Sequence, residues 1–432
     1  MADSGETPVF QKIDPINQRV AGAGLTLFFL YLLNTLLVLD KIVFTILLEP
    51  IKKEFGLNDL DLGLLTGLVY AVCMGLASLP LGILADRSNR RNLAAACLAI
   101  WSAMTAACGI VQSFGTLLLL RVGVGIGEAG GGPSALSIIS DLYGPKRRAT
   151  AMAIFSLGTP TSALINLTLN TQIVHAWGWR AALFAAAVPG FLLAAAMLLF
   201  MKEPKRGTAD RVKAEMAPPL SVTLSFIIRQ GSLVHLLIGA MIAYIVLAGV
   251  SSFTFSFLVR QHLADLHKIG PMLGIAISGA GIVGLYLTGR IADWLGGIDK
   301  RWYCAVMALT TLGSVVFGFL AFTTPGLNMA IVFTACFAAT SSLWLAPVFA
   351  LTQSLVQVRM RGTIGAIVFL LGNLFGYGLG PLLVGALSDA VKTQGYSNSL
   401  QIAILIVVCG NLWAICHFLL ASKRLRADLA RV

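Results

Sequence analysis

Long apolar stretches alternate with short polar turns twelve times along this chain. The runs are Ala21–Leu48, Leu60–Leu84, Leu93–Val111, Thr116–Ser140, Ala149–Val174, Trp179–Phe200, Leu233–Leu258, Gly270–Leu287, Trp302–Phe322, Leu327–Leu351, Thr363–Leu387 and Leu400–Leu420. A helix needs about 20 apolar residues to cross a hydrocarbon layer roughly 30 Å thick. Each run therefore predicts one spanning helix. None shows the alternation over about ten residues that marks a membrane β-strand. The expected fold is all-α integral membrane, with twelve transmembrane helices.

Composition agrees. Hydrophobic residues make up 57% of the 432 and charged residues 12%, against roughly 45–50% and about 25% in soluble domains. Mean hydropathy is +0.85. The seven cysteines all sit inside apolar runs without ligand spacing, so they read as packing residues rather than disulfides or metal ligands. The five histidines form no cluster in sequence. No metal and no cofactor are expected.

The net charge is +12 and the pI about 9.6, and the placement of that charge decides its meaning. Lysines and arginines crowd alternate loops, whereas the opposite loops hold only Lys52, Lys53, Arg180, Arg260, Lys268 and Lys392. This bias predicts a multi-pass protein of the inner (plasma) membrane with both termini cytoplasmic. The basic residues are scattered over seven inner segments, which argues against a nucleic-acid partner. Residues 1–20 are polar and carry no h-region, so no cleavable leader is expected.

The longest polar gap, with its KEPKRG and APPL stretches, divides the runs six and six. The expected organisation is an N-terminal tail (1–20), a six-helix bundle (21–200), a cytoplasmic linker (201–230) with an interfacial helix at Ser221–Arg229, a second bundle (231–421) and a basic tail (422–432). Gly82-Ile-Leu-Ala-Asp86 closes the second run and Gly289-Arg-Ile-Ala-Asp293 the eighth, as in a two-bundle transporter built from parallel repeats.

The first of these continues as Asp86-Arg87-Ser-Asn89-Arg90-Arg91. Gly82 would permit a tight turn at the helix end, and the arginines would grip carboxylates or helix C-termini of the other bundle. This segment resembles the inner-loop signature of the major facilitator superfamily, with Asn89 where Gly is usual; Asn tolerates the left-handed conformation. Further candidates for the cytoplasmic gate are Asp141, Arg148 and Arg301 along with Asp293.

The fourth run reads Arg121-Val-Gly-Val-Gly-Ile-Gly-Glu128-Ala-Gly130. Its formal G-x-G-x-x-G lacks the preceding strand of a dinucleotide site, and its glycines fit close helix approach instead. Charges inside a span are costly and are functional by default. Arg121 and Glu128 are seven residues apart, so they share one face about 10 Å apart. In the first run Asp40 and Lys41 form a second charged pair. Counted from the outer helix ends, Asp40 lies about 12 Å deep and Arg121 about 8 Å, so the two can meet. Asp40 and Glu128 are the protonation candidates, and Arg121 is their switchable partner or an anion contact.

Asn34, Asp40-Lys41, Glu49-Pro-Ile-Lys-Lys-Glu-Phe-Gly-Leu read as a loop, Arg121 to Glu128, and Ser140-Asp141-Leu-Tyr together resemble the spinster branch of that superfamily. There the usual Asp-Arg stands where this chain has Asp40-Lys41. The resemblance covers the first half and implies an amphipathic substrate of the sphingosine-1-phosphate or lysophospholipid type. The second half supplies polar and aromatic candidates for the opposite wall: Tyr244, Ser341, Trp344, Phe369, Asn373 and Tyr377. Gly158-Thr-Pro160 and Gly380-Pro381 are expected kinks. The expected protein is a monomeric alternating-access transporter, with protons as a candidate coupling ion. The rival on the same fold is a multidrug or organic-anion transporter. No G-x-S-x-G or H-E-x-x-H marks an enzyme.

Overall fold

The computed structural model describes residues 22–204 and 219–430, apart from the side chains of a few residues inside helices. Among the described residues every regular element is helical. The first half comprises α1 (Ala23–Phe55), α2 (Asp59–Gly63), α3 (Val69–Arg87), α4 (Arg90–Cys108), α5 (Phe114–Glu128), α6 (Gly131–Leu142), α7 (Pro145–Ser156), α8 (Gly158–Ile165) and α9 (Thr171–Phe200). After α10 (Leu220–Arg229) come α11 (Gly231–His262), α12 (Leu266–Ile298), α13 (Arg301–Thr323), α14 (Leu327–Thr340), α15 (Leu345–Ser354), α16 (Arg361–Leu371), α17 (Gly380–Thr393) and α18 (Ser399–Leu429). Short π-helical stretches at Leu64–Leu68, Asn166–Asn170 and Gly372–Leu379 lead into α3, α9 and α17.

Among the described residues, ten segments are long and apolar enough to cross a membrane. One, Thr150–Phe200, has 51 residues and would extend roughly 76 Å if straight, over twice the hydrocarbon thickness. It breaks at Gly178, whose φ of 81° belongs to the left-handed region. The 19-residue α4 begins with Arg90 and Arg91 and packs against α5, α6 and α9. That break and this helix account for the difference between ten segments and twelve apolar runs. Nothing would touch a Cβ at Gly178, so Gly178→Ala should cost only the backbone strain of about 1–2 kcal/mol. The expected result is a melting temperature lower by roughly 2–4 °C in detergent.

Several local expectations are corrected. The stretch from Glu49, expected as a loop, is helical to Phe55, and Gly56 ends it with φ 67° and an amide bonded to the Lys52 carbonyl. Gly82 makes no turn: α3 runs through it to Arg87. Asn89 is extended, with φ −74° and ψ 110°, and its side chain caps α4 by accepting from the Asn92 amide. A helix N-cap, not a left-handed turn, explains Asn here. The segment from 422 continues α18 to Leu429, and its Asp428 carboxylate receives the Ser232 amide and hydroxyl.

We call the face bearing Gly56, Gly109 and Gly395 outer, following the charge bias. Among the described residues, most buried apolar side chains fall into three groups. One mixes the halves and includes Leu47, Leu62, Phe253, Leu273 and Val384. The other two are confined to one half each, around Trp101 in the first and Trp344 in the second. The shared core is formed by the outer ends of the helices. Backbones approach closely there: a Cβ at Gly63 would lie 2.6 Å from the Pro381 carbonyl oxygen, and one at Gly67 2.8 Å from that of Gly378.

Candidate functional site

α1 and α5 bring their charged residues together as the depth arithmetic expects. Arg121 Nη1 donates to Asp40 Oδ2 at 3.1 Å, and the Thr105 hydroxyl of α4 donates to Oδ1 of the same carboxylate. The guanidinium lies over the Phe44 ring at 4.0 Å and the Tyr70 ring at 4.8 Å. Asp40 and Arg121 are 3% and 1% exposed. This pair is sealed between helices, and its aromatic cover adds cation–π attraction.

Glu128 and Lys41 form a different, looser arrangement. Lys41 Nζ stands 4.0 Å from Glu128 Oε2. The Tyr70 hydroxyl donates to that same oxygen, while Oε1 has no hydrogen-bond partner among the described residues. Lys41 also lies 5.6 Å from the Tyr70 ring and 5.5 Å from that of Tyr377, which comes from the second half. Glu128 is fully buried, whereas the Lys41 side chain is 17% exposed. An ammonium between two rings, with a loosely held counter-charge, can exchange that carboxylate for the anionic head of a ligand.

Two of these partners carry no mark in the sequence. Tyr70 and Thr105 sit in apolar runs, where an aromatic or hydroxyl residue gives no signal of its own. Tyr377 is a candidate by sequence, but its role beside Lys41 depends on the π-helical stretch that carries it, and such stretches recur at functional sites.

The remaining candidates are dispersed. Asn34 Nδ2 donates to the Phe155 carbonyl at 2.9 Å, tying α1 to the end of α7 just before α8 begins at Gly158. Trp344 is buried, meets Tyr244 edge-on at 4.8 Å and donates to the Ser341 carbonyl. Asn373 bonds its own helix at Phe369, whose ring is exposed, as is Tyr377. Ser341, Trp344 and Tyr244 thus belong to the packed core of the second half in this state.

At the inner face several described bonds of the arginines lie within their own half. Arg90 pairs with Asp141 and Glu203 and donates to Ser137 and the Pro204 carbonyl. Arg91 reaches Glu203 with its amide and the Met201 carbonyl with its guanidinium. Arg148 holds the carbonyls of Ser140 and Tyr143, and Arg87 is exposed. The side chains of Asp86 and Asp293 lie outside the described residues. The Arg301 amide and the Arg426 guanidinium hold the Asp299 carboxyl below the usual carboxylate range.

The outer face carries a network among residues whose sequence pattern reads only as topology charge. Arg260 of α11 bonds Glu49 of α1 at 2.8 Å and Asp59 of α2 at 2.7 Å. Asp59 also receives Lys52 and the Ser388 hydroxyl. Asp389 of α17 accepts the amides of Asp59 and Leu60 at the start of α2. Ion pairs and a helix cap therefore join the halves on this side.

The architecture has close counterparts. The Major Facilitator Superfamily model matches residues 25–381. The chain belongs to this superfamily. Among its relatives is an MFS-type efflux pump of Mycolicibacterium smegmatis, 31% identical, with 93% of this chain and 92% of that protein aligned. A sphingosine-1-phosphate transporter of Xenopus tropicalis is 26% identical over 88% of this chain and 76% of its own. A crystal structure of a bacterial homolog to the human lysosomal transporter spinster, inward-facing and unoccupied, superimposes with a TM-score of 0.83. It is 27% identical, with 94% of this chain and 98% of that one covered. The superfamily fold and the spinster-branch likeness agree with the motifs of the first half.

Proposed function

We propose that this protein is an alternating-access transporter of an amphipathic anion of lipid type, in the inward-facing state, coupled to protons through Glu128 and Lys41. It would act as a monomer in the plasma membrane with both termini cytoplasmic. The observation that carries this reading is the Lys41–Glu128–Tyr70–Tyr377 cluster, placed where the two halves meet. Lys41 is the partly exposed cation there, and Glu128 its buried counter-charge. An anionic head that takes Lys41 leaves the carboxylate in a low-dielectric site without its cation. An isolated buried charge of this kind is neutralised rather than tolerated. The anion and a proton therefore bind together, which makes the coupled direction symport.

Asp40 and Arg121 serve in this reading as the fixed element against which α1 and α5 are registered. The apolar and aromatic surface of the second half, with Phe369 and Tyr377 exposed, suits the chain of an amphiphile. The cytoplasmic arginines would form the inner gate of the opposite state.

A second reading is a multidrug or organic-anion transporter, with which the efflux-pump relative is consistent; its drug arm is tested with a cationic drug. A cation would pair with Glu128 after that group releases its proton, which reverses the coupling to antiport. Proteoliposomes separate the two. With sphingosine-1-phosphate as probe, an inward proton gradient should accelerate uptake roughly tenfold. Glu128→Gln should abolish that acceleration while leaving counterflow exchange measurable. Ethidium extrusion driven by the gradient, with no phosphate-headed amphiphile bound, would replace the lipid reading by the drug reading. Unchanged gradient dependence in Glu128→Gln would remove Glu128 from the mechanism.

A further inference from the structure

Two histidines far apart in the chain meet at the outer end of the seam. His175 of α9, in the first half, and His267 of α12, in the second, stack with ring centroids 3.9 Å apart and planes at 27°. The contact beneath them is tight. Gln172 Nε2 donates to the His267 carbonyl at 2.6 Å. A Cβ at Gly270 would collide with the Leu167 carbonyl oxygen and the Thr171 side chain, and one at Gly274 would lie 3.0 Å from Leu167 Cβ. The two halves therefore run close together here, and the stack covers the outer end of that contact. His175 is exposed and borders a cavity of about 340 Å³ between α1, α9 and α11, so its ring titrates with the outer solution.

The charged groups around the stack are committed to one another. Glu49 of α1, which lines the same cavity, bonds Arg260 of α11. Arg180, beyond the Gly178 break, is held by Glu54. His262, at the end of α11, meets the Phe257 ring edge-on. Asp265, just before α12, pairs with Lys268 at 2.7 Å. That bond first, and the two imidazoles after it, hold its carboxyl below the usual carboxylate range. A carboxylate already shared with Lys268 offsets at most one imidazolium charge.

We propose that the His175–His267 stack is a pH-sensitive latch of the outer seam, closed while at most one ring is protonated and released by acid on the outer side. Neutral imidazoles rest face to face on their apolar bodies. Histidine changes charge between about pH 5 and 8, and two imidazolium rings about 4 Å apart repel. At a wetted surface that repulsion shifts a two-state equilibrium by roughly tenfold. The sign follows from proton counts. The open state separates the rings and takes both protons, whereas the closed state resists the second, so falling pH favours the open state. An acidic exterior thus turns the central cavity toward the side from which protons enter. The latch regulates the alternating movement proposed above and rests on that movement, not on Glu128 or on the identity of the cargo.

Spin labels at Gln112→Cys and Tyr396→Cys, on opposite halves of the outer face and with the native cysteines replaced, read the opening of the substrate-free full chain in lipid nanodiscs. Between about pH 7.5 and about pH 5.5 the long-distance population of the parent should rise roughly tenfold. His175→Phe and His267→Phe each keep a flat ring in the stack and remove one of the two charges. Both should match the parent at the higher pH and lose most of the rise. Glu128→Gln should keep the rise, since the stack does not involve Glu128. A parent distribution that does not change with pH would overturn the latch, as would a full rise in either phenylalanine variant. A rise lost in Glu128→Gln and kept in the histidine variants would also overturn it and return the pH response to the central cluster. Failure of the proton or lipid reading of that cluster leaves this test unaffected, because neither substrate nor gradient is present in it.

Discussion

Arg121→Ala should transport at background level and melt well below the parent chain, whereas Asp40→Asn combined with Arg121→Gln should recover the melting temperature but not transport. The reasoning starts from burial. Asp40 is 3% exposed and its carboxylate is held by Arg121 at 3.1 Å and by Thr105. Removing the arginine leaves a charge in the apolar interior with one hydroxyl for company. Breaking a buried pair in this way costs about 3–5 kcal/mol, or roughly 5–10 °C in melting temperature. The double variant removes both charges together, and the amide oxygen of Asn can still accept from Thr105. Stability should return because replacing a whole buried pair is often neutral. Transport should stay lost, because the guanidinium also stacks on Phe44 and Tyr70, and Tyr70 positions Glu128. Thermal melts in detergent and uptake into proteoliposomes are the two measurements. A stable Arg121→Ala would refute the structural half of this argument, and full uptake by the double variant the functional half.

The contrast between these two charged pairs shows what the sequence makes legible. Asp40 and Arg121 can be matched from residue positions alone, because charge in an apolar run is rare and helix rise converts position into depth. The same arithmetic fails for Tyr70, since a tyrosine in an apolar run is unexceptional. Tyr377 is brought to its place by a π-helical stretch, whose extra residue per turn shifts the register of everything after it. No simple periodicity announces that. The outer network is hidden for another reason. By hydropathy Lys52 and Arg260 are loop charges and the first apolar run ends at Leu48, although α1 continues past Pro50 to Phe55. Those extra turns are what carry Glu49 to Arg260 across the seam and Lys52 to Asp59 beside it. The inner arginines show the reverse case. Their basic, cytoplasmic character is legible in the charge bias, but the choice between partners in either half depends on the conformational state.

That state is open to a direct manipulation at the outer face. Arg260→Ala should raise the outward-open population by about ten- to a hundredfold, and Gly63→Leu should hold the protein outward-open and stop transport. The Arg260 guanidinium crosses from the second half to two carboxylates of the first, Glu49 and Asp59. Charge-assisted bonds of this kind contribute about 1.5–3 kcal/mol each when buried, less at the partial exposure found here. Even one such contribution moves a two-state equilibrium by a factor of ten or more. Without the arginine, Asp59 keeps Lys52 and the Ser388 hydroxyl, while Glu49 loses its ion pair across the seam. Gly63→Leu acts by shape instead. Its Cβ would stand 2.6 Å from the Pro381 carbonyl oxygen, a backbone atom that cannot move aside. The outer seam cannot close over it, while the helix itself loses nothing when the halves are apart. Spin labels at Gln112→Cys and Tyr396→Cys, on opposite halves of the outer face, with the native cysteines replaced, would read the separation. Both variants should lengthen the distance distribution relative to the parent. They differ in what salt does: screening weakens the Arg260 network of the parent and shrinks the effect of Arg260→Ala, because partly exposed charges are screened. The Gly63→Leu distribution should be indifferent to salt. An unchanged distance in Gly63→Leu would mean that the Gly63–Pro381 contact is not part of the closing surface, and an unchanged distance in Arg260→Ala that the ion pairs follow closure without driving it.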